Sequence, residues 1–191
     1  MAHHARVKIQ QAIADLLLSV DPDPGRGGLN ETPDRAAKAW EEWTSGYGKD
    51  PATILKVFED GAEGCDEMVV VHNIPVYSHC EHHLAAIFGE ATVAYIPDGK
   101  IVGLSKLPRL VDIFARRLQV QERLTNQVAQ AIMEHLKPRG CGVVIKARHM
   151  CMESRGIKQA GGYTTTSSLH GVFREDPAVR SEFLNLARNP P

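Results

Sequence analysis

Apolar residues at Ile9, Ile13, Leu16, Leu17 and Val20 recur at helical spacing, and the run Asp21-Pro22-Asp23-Pro24-Gly25 ends the pattern. This predicts a short amphipathic helix. A second helix is predicted from Thr32, a capping residue with Pro33 behind it, through residues 34–44 to a stop at Gly46. The period then changes. Over residues 67–77, Val69, Val70, Val71, Ile74 and Val76 read as a strand, with Pro75 marking an edge or an irregularity. Residues 87–96 and 100–104 flank Pro97-Asp98-Gly99, whose Asp-Gly step predicts a hairpin.

Helical periodicity returns with Leu107, Leu110, Val111, Phe114 and Leu118 on one face. Leu124, Val128, Ile132 and Leu136 continue it in a second helix, closed by Pro138, Gly140 and Gly142. Residues 143–152 read as a strand, and its two-residue period puts His149 and Cys151 on the same face. Beyond Gly161-Gly162, residues 163–173, with Thr164, Thr165 and Thr166, predict a last strand, and Asp176 with Pro177 caps a terminal helix. The expected class is α+β: an antiparallel sheet backed by two helices, with a helical amino-terminal arm over residues 1–66 and one catalytic domain over residues 67–191.

Charge adds an exclusion. Lys and Arg number 22 against 23 Asp and Glu, so no global field points to nucleic acid or an anionic membrane as partner, and any basic site must be local. The start, Met1-Ala2-His3-His4, lacks the apolar run of a signal peptide, and no stretch approaches the ~18 apolar residues of a membrane span. A cytoplasmic location is the expectation. Four cysteines, Cys65, Cys80, Cys141 and Cys151, are too few for a disulfide scaffold, and metal ligation is the better use for two of them.

Cys80-Glu81-His82-His83 and, far downstream, His149-Met150-Cys151 are where the chemistry gathers. Cys80, His83 and Cys151 would make a metal site with three protein ligands. Structural zinc is normally closed by four, whereas catalytic zinc keeps a position open. His82 and His149 stand beside these ligands as candidate proton donors and acceptors. Alone, Cys80 and His83 also fit a buried thiol and a hydrogen-bonded histidine, and a Cys80 to Cys151 disulfide is a further alternative, disfavoured in a reducing compartment. Ser105, Lys106 and Arg109 gather at a helix start, an arrangement that suits phosphate, although by spacing alone a solvated face is the plainer reading; Arg155 could add a guanidinium. Gln121 and Glu122 offer an amide and a carboxylate at the start of the next helix, where surface capping is the plainer reading.

The chain as a whole resembles GTP cyclohydrolase I. The likeness runs from Glu31-Thr32-Pro33-Asp34-Arg35-Ala36-Ala37-Lys38 through Cys80-Glu81-His82-His83, Gly103-Leu104-Ser105-Lys106-Leu107 and Gln119-Val120-Gln121-Glu122-Arg123-Leu124. It continues through Arg148-His149-Met150-Cys151-Met152, Ser154-Arg155-Gly156 and Thr164-Thr165-Thr166-Ser167. The resemblance implies the tunnelling fold, a homodecamer of two stacked pentamers with active sites shared between subunits, and Zn2+ held by Cys80, His83 and Cys151. It implies GTP as substrate, with Glu122 anchoring guanine and Gln121 beside it. Ser105, Lys106, Arg109 and Arg155 would hold the triphosphate and ribose side, and Arg35 and Lys38 would enter from an adjacent subunit.

The implied reaction is hydrolysis and rearrangement of GTP to 7,8-dihydroneopterin triphosphate and formate, the first step of pterin and folate biosynthesis. Zinc would activate a water for attack at C8, His149 would protonate the purine nitrogen, and His82 would assist near the ribose. Two departures from the family pattern stand out: Leu118, where a proline is expected, and the glycine-rich Ala160-Gly161-Gly162-Tyr163 loop. Two rival readings fit less well. A zinc deaminase would require Pro-Cys-x-x-Cys, which is absent. A binding protein of the same fold without turnover would not need the full set Cys80, His82, His83, His149 and Cys151.

Overall fold

A computed structural model describes residues 3–59, 62 and 64–188. Helices α1 (His3–Val20) and α2 (Thr32–Trp43) form the arm. They are clasped at Asp34, whose Oδ1 accepts from Arg6 Nη2 and Gln10 Nε2, each at 2.8 Å. The cations of Lys38 and then Arg6 hold the Asp34 carboxyl down to about 2. Next come β1 (Val57–Phe58), β2 (Val69–Cys80), β3 (Ala86–Ile96), β4 (Ile101–Val102), α3 (Lys106–Ala115), β5 (Leu118–Gln119) and α4 (Gln121–His135). The chain ends with β6 (Gly140–His149), α5 (Met150–Glu153), β7 (Thr164–Gly171), α6 (Val172–Glu175) and α7 (Pro177–Arg188). Residues 1, 2, 60, 61, 63 and 189–191 lie outside the described residues, and with them Met1-Ala2 and part of the stretch before the expected boundary at residue 66. Among the described residues, no helix is long and apolar enough to cross a membrane.

Five strands form one mixed sheet in the order β5-β2-β3-β6-β7. All neighbours are antiparallel except β5, which runs parallel to β2 through Cys80↔Gln119. Alternation along β3 divides two cores. Ala91, Val93 and Tyr95 face α3 and α4, joined by Ile74, Val76, Leu107, Leu110 and Leu124. Ala94 and Ile96 face the other side, where Phe173 and Phe183 of α6 and α7 cover them. Helices therefore back both faces rather than one, making the α+β domain three layers deep at this end.

Several expectations need correction. The Asp-Gly turn at Gly99 (φ 65°) does reverse the chain, but β4 pairs with β1 instead of β3. The reason is that both edges of β3 are already taken, by β2 and by β6. Gly140 and Gly142 do not close a helix; both belong to β6. A Cβ on Gly142 would come within 2.5 Å of Phe183 and 2.8 Å of Phe173, so its bare backbone lets that aromatic pair sit on the sheet. Leu118 belongs to β5, not to the helix before it. The irregularity expected near Pro75 is a register shift between Val71 and Ile74, with Asn73 at φ 53°.

Candidate active site

Strand β2 delivers Cys80 at its last residue, and a tight turn returns the chain to β3. Cys80 N donates to Ala85 O and Leu84 N to Cys80 O, both at 2.8 Å, while Glu81 N reaches Gln119 O at 3.1 Å and ties the turn to β5. The turn carries His82 and His83 on its exposed side. Across the sheet, β6 stops at His149 because its partners run out: Ile87↔His149 is the last pair with β3, and β7 begins opposite Ala147. Residues 150–153 wind into one helical turn, fixed by Arg148, which grips Glu153 through both guanidinium arms, the Nε to Oε1 contact at 2.8 Å. Cys151 thus reaches the site from a helical turn, and the shared strand face expected for His149 and Cys151 is replaced by a strand end and a turn.

The ligand atoms of Cys80, His83 and Cys151 lie within 4.8 Å of one another. Two sulfurs and an imidazole suit a borderline or soft cation. Burial, with the Cys80 sulfur beside it, pushes the Cys151 thiol up, against the opposing pull of Arg155. Ligation needs the thiolate, the form that a metal ion's charge would favour over the neutral thiol. Cys80 and Cys151 are both thiols, so the Cys80 to Cys151 disulfide is not formed. Cys141 has a different character: burial drives its thiol up to about 12, and its Sγ donates to Ala129 O at 3.4 Å.

Around the cluster stand polar groups of use to chemistry. His82 Nδ1 is 3.8 Å from Cys80 Sγ, and Arg155 Nη1 is 3.1 Å from His83 Nε2. His149 borders a cavity of about 40 Å³ together with Met152, Glu153, Gln159, Tyr163 and Thr164. Burial lowers its pKa from the ordinary imidazole value, with Glu122 pulling the other way. His149 Nε2 lies 2.7 Å from Gln121 Oε1.

Sequence reasoning set Gln121 beside a ligand; the fold buries it at 2% exposure, with Ile145 O, Thr164 O and Thr166 Oγ1 each 3.0 Å from its Nε2. Glu122, the next residue, is exposed. Ser105 is the N-cap of α3, Lys106 its first residue and Arg109 an exposed residue one turn on. No described contact joins them to the cluster. Arg35 and Lys38 lie on exposed α2 and pair locally, Arg35 with Glu31 and Lys38 Nζ with Asp34 Oδ2 at 2.7 Å.

Two features escaped the sequence. Glu81 forms an ion pair with Arg123 of α4, so the turn carrying His82 and His83 is linked to the helix bearing Glu122. Thr125 and Thr166 face each other at 2.6 Å behind Gln121; in the sequence the threonine run signalled only strand propensity. The alternation of Thr164 and Thr166 was the one available hint that two of them share a face.

Comparison with known proteins agrees with this picture. The family model described as GTP cyclohydrolase I matches residues 9–188. The chain is 63% identical over 173 residues to the GTP cyclohydrolase 1 of Janthinobacterium sp. (strain Marseille), covering 91% of this chain and 87% of that protein. It is 60% identical over 174 residues to that of Nitrosospira multiformis, covering 91% of each. Over 182 residues it is 52% identical to that of Leptospira biflexa, covering 94% of this chain and 98% of the relative.

Proposed function

The chain belongs to the GTP cyclohydrolase I family and is a hydrolase with GTP cyclohydrolase activity, and from that premise we propose a zinc enzyme that opens the imidazole ring of GTP, releases formate and recloses the product as 7,8-dihydroneopterin triphosphate. The observation that carries the reading is the Cys80, His83 and Cys151 cluster, within 4.8 Å, beside a partly buried His149. When bound there, zinc supplies Lewis-acid activation of a water molecule.

The chain's own residues do the rest. His149 delivers a proton to the purine nitrogen as the ring opens; burial disfavours its charged form, which makes the imidazolium the readier to give that proton up. His82, on the exposed side of the metal turn, moves protons on the ribose side. Glu122 accepts from the guanine edge, with Gln121 next to it in the chain. Ser105, Lys106, Arg109 and Arg155 hold the triphosphate, a polyanion that a chain of net charge −1 must meet with local cations. Arg35 and Lys38, on the arm of residues 1–66, act on the active site of an adjacent subunit, while residues 67–191 form the catalytic domain.

The sheet supports an assembly. Among the described residues, the outer edge of β2 is open apart from its two-residue pairing with β5, and so is the outer edge of β7. Open edges of this length invite pairing with another copy. Closure of such contacts into the tunnelling-fold barrel, as a decamer of two pentamers, brings one chain's site against the next.

Incubation of the purified, zinc-loaded protein with GTP tests the reading. Formate and a pterin that fluoresces after oxidation are expected, and a chelator should stop both. No product from fully loaded protein would end it.

A further inference from the structure

The hydrogen bonds around Gln121 leave no freedom in how its amide is oriented. Its Nε2 lies 3.0 Å from the carbonyl oxygens of Ile145 and Thr164. A carbonyl can only accept, so the NH2 end must face this side; the reversed amide would set an oxygen against two oxygens in a site that is 2% exposed. The NH2 has two protons for these carbonyls, so the third neighbour, Thr166 Oγ1, shares one of them in a bifurcated bond and fits the same assignment.

A relay of hydroxyls locks the arrangement further. Thr125 Oγ1 donates to the Gln121 backbone oxygen at 2.8 Å. Having spent its proton there, it must accept at 2.6 Å from Thr166 Oγ1, whose remaining lone pair accepts from Gln121 Nε2. The chain of donors starts and ends on one residue, and each hydroxyl proton has one place to go. Gln121 Oε1 then points at His149 Nε2, 2.7 Å away. An amide oxygen has no proton to give. The hydrogen bond exists only if the imidazole donates, which fixes the proton of the neutral ring on Nε2 and leaves the lone pair on Nδ1.

We propose that Gln121 is a positioning residue that keeps a proton on His149 Nε2, so that the proton given to the purine leaves the imidazolium from Nδ1 and the ring returns to the neutral Nε2–H tautomer. The inference rests on the reading of His149 as the proton donor to GTP, and it moves Gln121 from the guanine edge to the far side of the imidazole. The sheet itself sets the tautomer, since two of the three acceptors for the Gln121 amide are main-chain carbonyls of β6 and β7.

Neutron crystallography of the zinc-loaded native protein, above the ordinary imidazole range of pH, reads the tautomer directly. A deuteron on Nε2 with Nδ1 bare is expected; a deuteron on Nδ1 with Nε2 bare overturns the proposal. Gln121→Met gives the functional readout in the zinc-loaded enzyme. A fall in kcat on the order of 10² is expected, within the usual scale of general acid catalysis, with zinc content and KM for GTP unchanged. A rise in KM with kcat unchanged would return Gln121 to guanine binding and defeat the proposal. Should this variant fail to fold, the native neutron map still decides. Failure of native, zinc-loaded protein to release formate from GTP would instead count against the proposed function, whatever the map shows.

Discussion

The metal cluster and the amide network behind His149 are neighbours built on opposite principles. Cys80 ends β2, His83 sits on the turn that follows and Cys151 on a single helical turn, all at or beyond the ends of strands, with His83 exposed. Gln121, Thr125 and Thr166 sit on α4 and β7, bonded to main-chain groups of adjoining strands. The cluster would gain cohesion from an ion, whereas the network is complete without one. On the proposed reading, an ion would enter and exchange at the sheet's end while packed elements preset His149.

The sharpest test separates metal from proton. Cys151→Ala should remove both bound zinc and GTP turnover with the fold retained, measured by metal analysis, formate release and circular dichroism. His149→Ala should keep the metal while turnover falls on the order of 10² to 10⁴. Loss of zinc in His149→Ala would erase the contrast.

Solution pH should touch the two regions differently. The Cys151 thiol is raised, first by burial and then by Cys80, so without metal it is protonated at neutral pH, and loading must displace its proton. Zinc affinity should therefore climb as pH rises through the neutral range, with protons released on loading, checked by chelator competition at several pH values. The Gln121, Thr125 and Thr166 bonds carry no titrating group and should show no such dependence.

Smaller changes probe each side alone. Thr166→Val removes the hydroxyl that Thr125 faces, while Gln121 keeps its two carbonyl acceptors, and should cost about 1 kcal/mol of stability in denaturant unfolding, with zinc affinity unaltered. Glu81→Gln removes a partly exposed ion pair with Arg123 and should cost less than about 1 kcal/mol. A large loss of zinc affinity in Glu81→Gln would show that the ion pair holds the metal turn in shape.

Much of this was legible along the chain. Helical periodicity located α1, α2, α3 and α4, and β-branched runs located β2, β3 and β7, because amphipathic spacing is a local property of an element that buries one face. The Cys80, His83 and Cys151 set was legible because ligand chemistry belongs to residue type. Less so was partner choice. The Asp98-Gly99 turn promised a β3 to β4 hairpin, yet β3 pairs with β2 and β6, since strand edges are allotted by the whole sheet. Cys151 left the strand for the same reason: β6 lost its neighbours one residue past Arg148.

By itself, then, the sequence determined the inventory: the α+β elements, three side chains that could hold a metal, the two histidines beside them and the family the chain belongs to. Tertiary structure alone decided the relations. It turned Gln121 inward to face His149, paired Glu81 with Arg123 and wound Cys151 into a helical turn. The physical reason is that residue chemistry and period are carried by each short segment, whereas the direction of a hydrogen bond between residues 28 apart exists only once α4 has packed on β6.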